Sequence, residues 1–385
     1  MNRISPLTLL ALVFFPAGFA TVENGRFDPA PGTTRPALAT TDTVRRSVAL
    51  ARPAVGVSGA LRVMYAMPGE RIHVPLEWSG EVPAGAWYRW SPRSSHVKAS
   101  TAAYEIPANG VFAAPDQPGV YELEIGWRGG QDDPGATLLV KTPYDARRNT
   151  SLNGYRIGRY PAGTGRYAPP IGLIEVTPEN QDLRLSEHFR LREFLTKDQA
   201  STWPKYVIVD LRLLDKLELV MDELERCGVP ADRMVVMSGY RTPQYNGKGV
   251  GNGRASLSRH QYGDAADVWI DTDGDWYMDD LNRDGRRDTG DARVMLAAVE
   301  AVERRYPELV GGAGIYGANS VHGPFIHIDT RGRRARWSLP PVRPSVASCS
   351  GGEHPPNLFS RGDNADERGR PGRLRSPVAA FCRMP

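Results

Sequence analysis

The segment Ser258-Arg-His260-Gln-Tyr-Gly263-Asp-Ala265-Ala-Asp267 and the later Phe325-Ile-His327-Ile-Asp329 ask for a fold that joins distant stretches of chain. Zinc prefers imidazole nitrogen and carboxylate oxygen, and a catalytic zinc keeps one position open for water. His260 and Asp267 offer one donor of each kind from a loop entering a strand. Gly263 lets the chain turn sharply between them, and Ala265 and Ala266 leave room beside an ion. His327, from a separate apolar strand, completes a three-ligand set of the kind that acidifies water near neutral pH. Read singly, the same residues fit blander roles: His327 as a satisfied core histidine, Asp267 as a strand-end carboxylate. The helical His-Glu-x-x-His arrangement is absent from the sequence.

The rest of the chain frames that constellation. With 385 residues there is room for two or three domains. Residues 56–143 carry short alternating stretches (Arg71–Trp78, Ala86–Trp90, Tyr121–Trp127, Ala136–Lys141) separated by Pro/Gly/Asn turns, the pattern of a small immunoglobulin-like β-sandwich. No constellation in it is catalytic, so a spacer or docking role is expected. Residues 144–184 read as a Tyr/Gly/Pro-rich connection with two strands. From 185 to 338 the pattern becomes α+β. Leu214, Leu217, Met221 and Leu224 recur at helical spacing, with Asp210 as cap and Gly228 as stop. Asp291 to Tyr306 predicts a second helix, and Met234–Met237 and Phe325–Asp329 predict buried strands.

The ends read differently. Arg3, the apolar run Leu9–Phe15, and Gly18 and Ala20 before a cut predict a signal peptide over 1–20. The run is too short to anchor the chain, so an exported, periplasmic or extracellular protein without stable membrane insertion is expected. Residues 21–55 read as a linker and 339–385 as a disordered tail. Export permits a Cys349–Cys382 disulfide but does not establish the pairing. A dispersed net charge of +4 gives no argument for nucleic acid.

An acidic insert, 271–291, follows the first segment. Asp280, Asn282, Asp284, Asp288 and Asp291 occupy positions 1, 3, 5, 9 and 12 of a calcium-loop register, with Gly285 at the sharp turn and the Arg286 carbonyl at position 7. Position 12 is Asp, shorter than the usual Glu. A solvated loop of Asx turns is the alternative reading. Asp271, Asp273 and Asp275 just upstream either join this site or form another.

Taken together, Ser258–Asp267, the upstream Ser238-Gly-Tyr-Arg-Thr-Pro-Gln-Tyr-Asn246, Gly311–Tyr316 and Phe325-Ile-His-Ile-Asp-Thr-Arg-Gly332 resemble the zinc D-alanyl-D-alanine carboxypeptidases and their murein endopeptidase branch. The resemblance covers roughly 185–338, and the domain it implies is the zinc fold shared with the signalling domain of hedgehog proteins. It implies zinc on His260, Asp267 and His327, peptidoglycan as partner, and Arg241 facing a substrate carboxylate or oxyanion. A salt bridge beneath the 238–246 turn is the structural alternative for Arg241. The sequence departs from the family at Pro324, where a Glu or Asp base is usual. His322 and Asp329 are then the candidates for proton transfer, with His322 favoured, an imidazole being the side chain suited to neutral pH. For Asp329 the alternatives are orientation of a ligand or pairing with Arg331. Loss of the base also leaves open a non-catalytic cell-wall binding module carrying zinc and calcium.

Overall fold

A computed structural model describes residues 47–51, 55–94, 102–251 and 253–339. The expected signal peptide, residues 21–46 and 52–54 of the expected linker, and residues 340–385 with Cys349 and Cys382 lie outside the described residues; within the expected linker, Val48–Leu50 is a strand. The described chain is a mixed α+β structure with many strands and few helices.

The first module is built on a sheet ordered Val63–Ala66, Thr137–Val140, Gly119–Trp127, Trp87–Pro92, Tyr104–Glu105. The outer pair, Val63–Ala66 with Thr137–Val140, is parallel. Two small two-stranded antiparallel sheets, Val48–Leu50 with Leu76–Trp78 and Arg71–His73 with Val111–Ala113, share its core through Val48, Val74 and Phe112. Arg71–Trp78, expected as one strand, is two, broken at Val74-Pro75 because proline has no N–H for a ladder.

Strand alternation decides what this module does in the molecule. Met64, Ala66, Tyr121, Leu123, Ile125, Leu138 and Val140 point into the module's own core. Their neighbours Val63, Val120 and Leu139 point the other way, into the main core of the protein. The sheet is therefore buried on both faces along one edge, which packs it onto the following segment. Asp215, fully buried on the first long helix, reinforces the join by accepting from Val57 N (2.7 Å) and Ser58 N (2.8 Å).

The second sheet runs Met234–Ser238, Ala265–Ile270, Phe325–Asp329, Gly312–Tyr316, Ala335–Leu339, antiparallel except for the last pair. Of the helices α1 (Leu211–Arg226), α2 (Pro243–Gly247) and α3 (Thr289–Arg305), α1 and α3 cover one face. Asp210 caps α1 by accepting from Arg212 N, and Gly228 follows its end with φ +75°. Asp288 and Asp291 form a capping box for α3, which starts two residues before the expected Asp291. Ala266, Val268, Ile326, Ile328, Ala313 and Ile315 face the helices. Period-two alternation then sends Asp267, His327 and Gly314 to the opposite face.

Candidate metal centre

Register lines the site up across that opposite face. Asp267 stands directly opposite His327, His327 opposite Gly314, and Gly314 beside Trp337. On the other side a bulge between Val236 and Ser238 brings Ser238 opposite Asp267. Gly314 has no side chain because the Trp337 ring lies there: a Cβ would meet it at 2.2 Å. That approach lets Trp337 flank His327 with ring centroids 5.2 Å apart. Tyr316 stacks on Phe325 at 4.6 Å and accepts from Trp337 Nε1 at 3.0 Å, extending the aromatic wall.

His260 arrives from outside the sheet on a single 3-10 turn, Arg259–Tyr262. The turn ends at Gly263, whose φ of +71° needs no Cβ. The buried pair Arg259–Asp264 straddles this glycine, with Arg259 Nε donating to Asp264 Oδ1 at 3.0 Å. A Cβ on Gly263 would stand 2.4 Å from the Ile208 carbonyl oxygen. Gly263→Ala is therefore expected to cost about 2–4 kcal/mol from the left-handed backbone plus the overlap. A denaturant melt measures it, and metal affinity should fall with it because the turn carries His260.

The three expected ligands converge. His260 Nε2 is 3.1 Å from His327 Nδ1 and 3.2 Å from Asp267 Oδ1, and His327 Nδ1 is 2.9 Å from the same oxygen. All three residues are buried. A tetrahedral zinc with bonds of about 2.0–2.1 Å holds its ligand atoms about 3.3 Å apart, so the donor set matches that ion in chemistry and spacing. The outer nitrogens are fixed: His260 Nδ1 donates to Gly239 O at 2.7 Å, and His327 Nε2 meets Asp329 Oδ2 at 3.1 Å. These bonds turn the two remaining lone pairs toward Asp267.

The electrostatics follow from burial and neighbours. Burial, aided by Arg241, lowers the His260 pKa to about 4. Burial acts the same way on His327, but its hydrogen bonds to Asp267 and Asp329 outweigh it and raise the pKa. Burial would raise Asp267, yet His260, His327 and Arg241 hold it well below the carboxylate range.

Arg241 donates from Nε to Ser238 Oγ at 2.8 Å and from Nη2 to Asp267 Oδ2, with its side chain 12% exposed. The salt bridge beneath the 238–246 turn is thus present, and its partner is a candidate ligand. Asp329 is fully buried, accepts from Gly312 N at 2.7 Å, and pairs with Arg331. It lies beyond His327 Nε2, on the far side of the ring from the other donors, so this geometry makes it a positioning group. His322 is engaged locally: Nδ1 donates to Gly323 O at 2.8 Å, Nε2 accepts from Asn319 Nδ2 at 2.7 Å, and its ring edges onto Phe325. Neither candidate for proton transfer makes a hydrogen bond to His260 or Asp267. Both alternative roles read for Asp329 in the sequence, orienting His327 and pairing with Arg331, are present as contacts.

In the acidic insert, Gly285 makes the expected turn with φ +82°. Asp280 accepts from Asp284 N (3.1 Å) and Gly285 N (2.8 Å), Asn282 accepts from Asp284 N (2.9 Å), and Asp284 accepts from Arg286 N (2.9 Å). Asp288 caps α3, and the fully buried Asp291 accepts from Leu281 N (2.8 Å) and Asp288 N (2.8 Å). Among the described residues, two clusters of acidic or metal-ligating side chains have their donor atoms within 4.8 Å of one another: His260, Asp267, His327, and Asp271, Asp273, Asp275. The carboxylates of Asp280, Asp284, Asp288 and Asp291 are not gathered in this way. Comparison of the chain with protein-family models, with curated proteins and with solved structures finds no match.

Proposed function

We propose that the chain is an exported, zinc-dependent peptidase that hydrolyses peptide bonds in peptidoglycan stem peptides or cross-links. The reading places the second sheet in the hedgehog-like fold of the zinc D-alanyl-D-alanine carboxypeptidases and murein endopeptidases. The observation that carries it is the convergence of His260 Nε2, His327 Nδ1 and Asp267 Oδ1 within 3.2 Å. Zinc held there would polarise a carbonyl and acidify water. The remaining work falls to the chain. Gly239 and Asp329 fix the tautomers of the two imidazoles. Arg241, held by Ser238 and Asp267, keeps a positive charge beside the trio for a substrate carboxylate or a developing oxyanion. His322, from the loop preceding the Phe325–Asp329 strand, is the proton-transfer group of this reading, released from Asn319 when substrate enters.

A second reading is favoured by one observation: Pro324 stands at the usual base position, and both His322 and Asp329 are occupied by other partners. That reading is a cell-wall binding module without catalysis. Incubation of the purified protein with sacculi separates the two. Muropeptide release that a zinc chelator abolishes supports the peptidase, binding without products assigns the module, and failure to bind sacculi overturns both.

Calcium, in a structural role on the Asp280–Asp291 loop, is the second ion of this proposal, supported by the loop register and by the turn that Asp280 and Asn282 make around Gly285. One equivalent of calcium lost on Asp280→Ala is the expected calorimetric result.

Protons should compete with zinc. A metal at the trio requires His327 Nδ1 to be proton-free, and that imidazole binds its proton more tightly than usual. Apparent zinc affinity is therefore expected to be full well above the raised pKa and to fall about tenfold per pH unit below it. Zinc titration against a competing chelator between about pH 8 and about pH 6 reads the slope. A flat profile would remove His327 from the ligand set.

A further inference from the structure

The second carboxylate cluster has no part in the peptidase reading. Asp271 directly follows the Ala265–Ile270 strand that carries Asp267, and its side chain is wholly buried. Oδ2 is accounted for: it pairs with Arg233 Nη1 at 3.0 Å and accepts from Trp276 N at 3.2 Å. Oδ1 has no hydrogen-bond partner. A buried carboxylate oxygen without a donor is costly and calls for an explanation. Asp273 and Asp275 bring ligand oxygens to within 4.8 Å of Asp271 and of each other. A calcium ion with bonds of about 2.3–2.6 Å holds its ligands at most about 5 Å apart, so all three fit around one ion.

We infer that Asp271, Asp273 and Asp275 form a calcium site, separate from the Asp280–Asp291 loop, that clamps the exit of the Asp267 strand. Charge and access agree with this. Each outer carboxylate uses one oxygen on the loop backbone: Asp273 Oδ1 accepts from Asp275 N at 3.1 Å, and Asp275 Oδ1 from Tyr277 N at 2.9 Å. The second oxygen of each is held only by Arg287, at 3.1 Å to Asp273 and in a closer contact to Asp275. The Arg287 side chain is 41% exposed and has open water to swing into. Arg287 is thus the cation that calcium displaces, and the displacement also satisfies Asp271 Oδ1. The loop tightens with it: Gly274 sits where a Cβ would press on Arg233 Nη1 at 2.9 Å, and Tyr277 packs 3.7 Å from the Cβ position of Gly323, beside His322. Calcium here orders the 271–277 loop and, through Tyr277, the loop that carries His322. The clamp does not depend on which metal, or whether any metal, occupies that trio.

The test uses the full chain, stripped with chelator. Terbium replaces calcium and emits when an indole or phenol lies beside it, and Trp276 and Tyr277 directly follow Asp275. Saturable terbium emission displaced by calcium is expected. Asp273→Ala/Asp275→Ala, both exposed positions, should lose that emission and one equivalent of calcium by calorimetry, whereas Asp280→Ala should keep the emission. Arg287→Ala should raise calcium affinity, which a mere surface ion pair would not do. An unchanged calcium count in the double variant, emission that disappears with Asp280→Ala instead, or an unaltered affinity in Arg287→Ala would overturn the site. Displacement by magnesium as readily as by calcium would overturn its assignment to calcium.

Discussion

Replacement of His260 by alanine is expected to strip the transition metal from the purified protein and to abolish zinc-dependent muropeptide release together. His260 supplies one of three donors, and the two that remain, Asp267 and His327, already neutralise each other through a 2.9 Å contact. A bound metal ion contributes several kcal/mol of charge stabilisation and each 1.36 kcal/mol is a factor of ten, so the loss in rate should be about a thousandfold or more. The fold itself should survive, because burial keeps the imidazole neutral, with its pKa near 4, and its removal strands no charge. Asp329→Asn makes the informative comparison. It keeps the donor set but loosens His327, and a weakening of metal affinity of about 10–100-fold is expected for an orienting partner. Elemental analysis and a thermal melt of both variants separate these effects. Hydrolysis retained by His260→Ala would remove the metal from the mechanism.

What could be read from the sequence follows from how local each signal is. Helix α1 was legible because Leu214, Leu217, Met221 and Leu224 repeat along one face between Asp210 and Gly228, all within one window. The trio was legible because several short motifs occur in the order of a zinc-peptidase family; read singly, its residues fit blander roles. The partners of the trio were not, because strand register is a non-local property. Nothing local in Gly314 announces that Trp337 lies over it, and the bulge that turns Ser238 toward Asp267 is visible only once the two strands pair. Val63, Val120 and Leu139 read as unremarkable alternating positions; only the assembled sheet reveals that their side is buried as well. In the acidic insert the calcium-loop register drew attention to Asp280–Asp291. The carboxylates that gather lie upstream, because the chain buries Asp271 at a strand end while Asp291 is drawn into capping α3.

The second large effect is on stability, at a residue that sequence periodicity passes over. Lys216 lies on the inner side of α1 with its side chain fully buried. Its ammonium donates to Glu303 Oε1 on α3 at 2.7 Å and to the Asp329 main-chain carbonyl at 2.8 Å. Glu303 Oε1 also takes Gly311 N at 3.0 Å, and Oε2 takes Arg336 Nη2 at 2.5 Å. One buried charge network thus ties both helices to the strand whose Asp329 orients His327. Burial depresses the lysine pKa, against the opposing pull of Glu303 and Asp329, which favour the charged form. Lys216→Met removes one partner and leaves the carboxylate half-neutralised and the Asp329 carbonyl without its donor, so a loss of about 3–5 kcal/mol is expected. The double variant Lys216→Met/Glu303→Gln no longer buries an uncompensated anion and should recover part of that loss. Urea melts of the metal-free protein measure both. A single variant as stable as the parent would mean that water already reaches Glu303, and that the network does not hold the strand under the metal centre.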